Sequence, residues 1–173
     1  GIRFNSSTDG LIQNNTINTT FNGGNGIRII SNAHRNTLTQ NAIGNGNASG
    51  VYIDGGSNVS VDCLGSTLTG GNFTSTYGVY TTQFNSTVKN CVISNFEMGV
   101  YFNGATNGTI RNTSASTTNS NGYSIFLQSS SNFNTIANST GSSNSGFNII
   151  LQSSSYNTIS NSTINSTYLE GIE

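Results

Sequence analysis

The sequence predicts an all-β chain wound as a right-handed parallel β-helix. Three observations carry that expectation. A Gly followed by alternating apolar residues recurs about every 24 residues, a second apolar signature follows each at about ten residues, and Asn, Ser and Thr make up almost half of a chain without Pro.

Gly1, Gly26, Gly50, Gly78, Gly99, Gly122 and Gly146 open seven coils and Gly171 an eighth, at spacings of 25, 24, 28, 21, 23, 24 and 25. After each Gly the apolar positions alternate: Ile2 and Phe4, Ile27 and Ile29, Val51 and Ile53, Val79 and Thr81, Val100 and Phe102, Tyr123 and Ile125, Phe147 and Ile149. A period of two is a strand with one buried face. The second signature is an aliphatic residue, a spacer, a polar residue, two spacers and a further apolar or small residue. It reads Ile12/Asn14/Ile17, Leu38/Gln40/Ile43, Val61/Cys63 with Leu68 displaced, Val88/Asn90/Ile93, Ile110/Asn112/Ala115, Ile136/Asn138/Gly141 and Ile159/Asn161/Ile164. In six units Thr or Ser precedes the aliphatic residue, which predicts an outward hydroxyl at Thr37, Ser60, Thr87, Thr109, Thr135 and Thr158.

Stacked coils place equivalent residues ~4.8 Å apart, so seven coils make one domain spanning 1–173 and a rod of roughly 34 Å. The polar position of the second signature then becomes an inward amide ladder of Asn14, Gln40, Asn90, Asn112, Asn138 and Asn161, interrupted by Cys63. A leucine-rich or helical solenoid would need a 3.6-residue apolar stripe, and none is present. The lack of Pro suits strands paired on both sides.

The stretches Asn58-Val59-Ser60-Val61-Asp62-Cys63-Leu64-Gly65-Ser66-Thr67-Leu68-Thr69-Gly70 and Ser131-Asn132-Phe133-Asn134-Thr135-Ile136-Ala137-Asn138 resemble the parallel β-helix repeats of the NosD-like and carbohydrate-binding/sugar-hydrolase group. That group is abundant in archaeal and bacterial surface proteins, and the resemblance covers nearly the whole chain. It implies the fold but no single activity, because such repeats carry lyases, hydrolases, epimerases, adhesins and spacers alike.

Composition removes several function classes. Charged residues are 6% of the chain, with five Lys plus Arg and a net charge of −1. Nucleic-acid binding and attachment to anionic lipid both lack the cations they need, and no apolar run approaches the ~20 residues of a bilayer span. Two stacked carboxylates would be required of a glycosidase, but Asp9, Asp54 and Asp62 fall at different points of their coils and Glu97, Glu170 and Glu173 are scattered. A lyase of this fold would want a calcium-binding acidic cluster beside a basic residue. Arg3 and Arg28 stack without one. His34 is the only imidazole and reads as a solvated turn residue, and Asp54-Gly55-Gly56-Ser57-Asn58 reads as a turn rather than a calcium loop. No catalytic residue, metal site or cofactor is expected.

Cys63 and Cys91 lie 28 residues apart, on neighbouring coils. The second signature aligns Cys63 with Asn90 and leaves Cys91 one residue on, facing the other way, so free thiols are favoured over a disulfide. Twelve Asn-x-Ser/Thr sequons occur. Asn14, Asn112, Asn138 and Asn161 are set aside as inward ladder positions, which leaves Asn5, Asn18, Asn47, Asn58, Asn72, Asn85, Asn107 and Asn165 as candidates for glycosylation.

One outward column stands out. Two residues after each repeat Gly the chain reads Arg3, Arg28, Tyr52, Tyr80, Tyr101, Ser124 and Asn148, which stacks three tyrosines over roughly 10 Å beside two cations. Such a strip is either a self-stabilising aromatic ladder or a platform for a sugar or partner.

Neither end carries a distinctive cap: the chain opens on Gly1-Ile2-Arg3-Phe4 and stops at Gly171-Ile172-Glu173. The expectation is continuation in a longer chain or end-to-end self-association. The function expected is a non-catalytic extracellular structural solenoid, part of a cell-surface adhesin, surface-layer protein or filament. The alternative is a carbohydrate-binding or polysaccharide-degrading domain that uses the tyrosine strip, with glycans as partners.

Overall fold

The computed structural model describes residues 1–20 and 23–166 as three parallel sheets of seven strands each. Each coil crosses them in turn, and no helix occurs among the described residues. The first sheet is Ile2–Asn5, Ile27–Ile30, Val51–Ile53, Tyr77–Thr81, Met98–Asn103, Tyr123–Gln128 and Phe147–Gln152. The second contains three-residue strands such as Thr37–Thr39 and Thr135–Ala137, and the third four-residue strands such as Thr67–Gly70 and Ser114–Thr117. The segment Gly171-Ile172-Glu173 lies outside the described residues.

Registers are continuous, so like stacks on like. Inside the first sheet run Ile2, Ile27, Val51, Val79, Val100, Ile125 and Ile149, and beside them Phe4, Ile29, Ile53, Thr81, Phe102, Leu127 and Leu151. The second sheet contributes Ile12, Leu38, Val61, Val88, Ile110, Ile136 and Ile159. Apart from Thr81, these columns form one continuous apolar core. The hydroxyls Thr37, Ser60, Thr87, Thr109, Thr135 and Thr158 stack in register beside it.

The corners follow one rule. An outward residue in the left-handed region precedes an inward one. At the first corner, between first and second sheets, the left-handed residues are Asp9, Arg35, Asn58, Asn85, Asn107, Phe133 and Tyr156, at φ 54° to 59°. At the second corner they are Asn14, Gln40, Asn90, Asn112, Asn138 and Asn161, at φ 48° to 57°. Asn is the non-Gly residue that best tolerates this backbone.

That rule corrects the expected ladder. Asn14, Gln40, Asn112, Asn138 and Asn161 are exposed and Asn90 is half-buried, because the left-handed turn swings the side chain out. The inward amides come one residue later. Asn41 accepts from the Asn15 N–H at 3.1 Å and donates to the Ile12 carbonyl at 2.9 Å. At the first corner Asn36 accepts from the Gly10 N–H at 2.8 Å and Asn134 from the Gly108 N–H at 2.7 Å. Such bonds satisfy turn backbone that would cost about 1–3 kcal/mol per group if buried unpaired. Outside, left-handed amides also join one another, Asn85 donating to Asn58 Oδ1 at 2.7 Å and Asn112 to Asn90 Oδ1 at 3.2 Å.

The same rule places the cysteines. In the third coil the left-handed residues, Leu64 and Gly65, follow Cys63 instead of preceding it. Cys63 therefore takes the inward place and meets Cys91, which holds it in the fourth coil. The two form a disulfide with Cα atoms 4.8 Å apart, and free thiols are corrected to a bridge.

A second correction concerns the third corner, where Gly26, Gly50, Gly78 and Gly99 stack. A Cβ on Gly50 would meet the Gly78 carbonyl oxygen at 2.7 Å, and one on Gly78 would meet that of Gly99 at 2.5 Å. In the last two described coils this position is filled by Ser124 and Asn148, both fully buried, and not by Gly122 and Gly146. Room comes from the facing third sheet, whose Ile43, Leu68 and Ile93 column shrinks to Ala115 and Gly141. Ser124 and Asn148 are thus not members of the outward column.

Candidate functional site: the outer face of the first sheet

With the register corrected, the outward column reads Arg3, Arg28, Tyr52, Tyr80, Tyr101, Phe126 and Ile150. A parallel column of Tyr77, Met98, Tyr123 and Phe147 flanks it. Together the apolar members form a second cluster outside the solenoid, in which Tyr80 and Tyr101 are each 8% exposed, Phe126 5% and Ile150 4%.

The rings stack along the solenoid axis. Tyr52 and Tyr80 lie 4.5 Å apart at 17°, Tyr101 and Phe126 5.1 Å at 12°, and Tyr123 and Phe126 4.6 Å at 23°. Tyr80 and Tyr101 meet edge-on at 70°. Rings that face one another turn mainly their edges to solvent. Polar tips are tied down as well: the Tyr101 hydroxyl donates to Gln128 Oε1 at 2.6 Å and the Asn103 amide donates to the Tyr80 oxygen at 3.2 Å. The Arg28 guanidinium sits 5.6 Å from the Tyr52 ring centroid.

Burial sets the electrostatics. It pushes the Tyr101 hydroxyl up to about 12, with the neighbouring Tyr77 and Tyr80 adding to the shift. Tyr52 is raised by burial and by Tyr80 and Asp54, and Tyr77 by burial and Glu97. These phenols stay protonated at neutral pH. They offer contact area and hydrogen bonds rather than a nucleophile.

Charged groups elsewhere are dispersed. Arg35 holds Asp9 with two 2.7 Å bonds and keeps its carboxyl below the usual range. For Asp62, burial works to raise the pKa, but bonds from Asn90, Lys89 and the Leu64 N–H outweigh it and the net shift is downward. Lys89 lies 3.0 Å from its Oδ2. His34 is half-buried, its Nδ1 accepting the Ser57 N–H at 2.9 Å. No group of three or more His, Cys, Asp or Glu able to hold a metal occurs among the described residues.

The sequence pattern located Tyr52, Tyr80 and Tyr101 and the Arg3–Arg28 pair, but not Phe126, Ile150 or the flanking column. The available signal was a recurring aromatic or sulfur residue at Tyr77, Met98, Tyr123 and Phe147, obscured because two of these directly follow a Gly and two precede one. Among the glycosylation candidates, Asn5, Asn18, Asn58, Asn72, Asn85, Asn107 and Asn165 are exposed and Asn47 is half-exposed. The four sequons set aside, Asn14, Asn112, Asn138 and Asn161, are exposed too.

No curated protein and no solved structure was found to match the chain. A family described as the right-handed β-helix region matches residues 63–173. With its three parallel sheets and stacked registers, the chain belongs to the right-handed β-helix family.

Proposed function

We propose that this chain is a non-catalytic extracellular structural element, a stiff segment of a surface adhesin, surface-layer protein or filament of the NosD-like, archaeal or bacterial surface type. The observation that carries this reading is the bridge between Cys63 and Cys91 across neighbouring coils, with no free cysteine among the described residues. Disulfides form and persist in oxidising compartments outside the cytosol. Three continuous ladders and one aliphatic column supply the stiffness, and an almost uncharged amide and hydroxyl surface fits a spacer. In this reading 1–173 acts as one unit, and coils in register associate lengthwise, within a longer chain or between copies. Labelling of intact source cells with a membrane-impermeant reagent, followed by recovery of the oxidised Cys63–Cys91 peptide, tests it. A chain found reduced and protected inside the cell would overturn it.

The second reading is a carbohydrate-binding or polysaccharide-degrading domain using Tyr52, Tyr80, Tyr101, Arg3 and Arg28. Arg28 over Tyr52 supports it, since together they offer a cation beside an aromatic edge. The mutual stacking of the rings favours the ladder reading. Specific retention on a glycan array, or turnover of an oligosaccharide panel, would move the second reading to first place.

A further inference from the structure

Two coils keep the corner rule but fill its outward place with an aromatic residue. Where other coils set Asp, Arg or Asn in left-handed backbone at the first corner, the sixth and seventh set Phe133 at φ 59° and Tyr156 at φ 58°. A bulky side chain there is a conformational outlier, since its Cβ crowds the following carbonyl. Neither ring gains burial in return. Phe133 is 55% exposed and Tyr156 78%, and the two stack on each other 5.0 Å apart at 4°. Aromatic surface is held out in water at a conformational cost.

Five residues beyond each ring, across one short strand of the second sheet, stands the left-handed Asn of the second corner, Asn138 after Phe133 and Asn161 after Tyr156. Both are exposed, both open an Asn-Ser-Thr sequon, and neither side chain makes a hydrogen bond among the described residues. The outward residues between, Thr135 and Ala137 in one coil and Thr158 and Ser160 in the next, are small. The span is at most ~16 Å of extended chain. The other second-corner sequons lack the ring: Asn112 has Asn107 five residues upstream, and Asn14 has Asp9.

We propose that Asn138 and Asn161 are alternative acceptors for one N-linked glycan, and that this glycan lies back across the second sheet onto the Phe133–Tyr156 pair. In the transfer, Asn Nδ2 bonds to the anomeric carbon of a lipid-pyrophosphate-linked oligosaccharide. The bond from that carbon to the pyrophosphate oxygen breaks, the amide gives up one proton, and the lipid pyrophosphate leaves. The apolar C–H faces of the sugars then cover the rings that the protein leaves bare. Successive coils are ~4.8 Å apart, too close for a branched glycan on each, so occupancy of one site excludes the other. The proposal rests on the extracellular reading, because the donor is met during export.

The test is secretion of the whole chain from a host that N-glycosylates, with site mapping by glycosidase release in heavy-oxygen water and mass spectrometry. The expected result is a glycan on Asn138 or Asn161 but not on both in one molecule. Enzymatic removal should lower the melting temperature by roughly 2–4 °C. The same removal should leave unchanged the double variant Phe133→Gly and Tyr156→Gly, in which Gly accepts the left-handed backbone freely. Gly is chosen because Asn at either position would create a new sequon. A glycan on Asn14, five coils from Asn138 and with Asp9 in place of a ring, is the internal control and should show no dependence on the rings. Both sites unoccupied in a secreted chain with Cys63–Cys91 oxidised would overturn the proposal and leave the extracellular reading standing. Equal shifts in parent and variant would also overturn it, and reduced cysteines in the secreted chain would overturn both.

Discussion

The outer faces of the first and third sheets are built on the same parallel ladder yet do opposite things. The first carries aromatic and long apolar side chains that bury one another outside the solenoid, leaving Phe126 and Ile150 nearly as hidden as core residues. The third carries small residues, Ala42, Thr69, Val92, Ser94, Ser116 and Ser142, that rise too little to shield their neighbours. A sheet needs only one buried face to be stable. The difference teaches that the second hydrophobic layer of the first sheet is additional to the fold, and that it can be weakened without dismantling the column.

That contrast can be put on a scale. Phe102, fully buried inside the first sheet, gives the upper reference: Phe102→Ala should cost about 3–5 kcal/mol in urea unfolding. Next comes reduction of Cys63–Cys91, which closes a loop of 28 residues and should lower stability by about 2–4 kcal/mol, read as a shift in melting temperature with and without reductant. Tyr101→Ala, one residue from Phe102 but on the outer face, should cost about 1.5–3 kcal/mol. A loss within ~0.5 kcal/mol would show that the outer cluster is decoration and erase the contrast between the faces.

Alkali offers a finer probe. The folded Tyr101 hydroxyl holds its proton to about 12, above an unfolded tyrosine near ~10. Its contribution is therefore complete below pH ~10 and is lost as pH rises from there through the folded value. Absorbance at the phenolate band should show this late titration, and Tyr101→Phe should flatten the alkaline fall in stability. The smallest effect belongs to the third sheet: Ser116→Ala should change stability by no more than about 0.5 kcal/mol. A cost matching Tyr101→Ala would break the comparison from the other side.

Much of this was legible in the sequence because period two and a coil length near 24 residues survive single substitutions. The core columns of Ile27, Val51, Val79 and Val100 follow directly from the Gly spacing. The errors share one physical origin. Left-handed backbone at a corner turns a side chain outward within a single residue, and residue identity alone does not say whether the Asn at a corner is the left-handed one or its inward successor. The pattern therefore puts Asn14, Asn138 and Asn161 inside, whereas it is Asn15, Ser139 and Ser162 that turn inward, and it turns Cys91 away from the partner it meets. The Gly column misled in a related way, since Gly122 and Gly146 sit two residues before the places held by Ser124 and Asn148. The exchange of bulk with Ala115 and Gly141 is a contact between sheets, invisible along one strand.

The bridge between the third and fourth coils changes how the column would fail under load. Pulled from its ends, a solenoid frays one turn at a time, each giving up its contour before the next is exposed. Here a covalent tie withholds the 27 residues from Leu64 to Asn90, about 90 Å of extended backbone, from that lengthening. A tear running along the rod would cross this stretch without releasing slack, and a reducing environment would restore it.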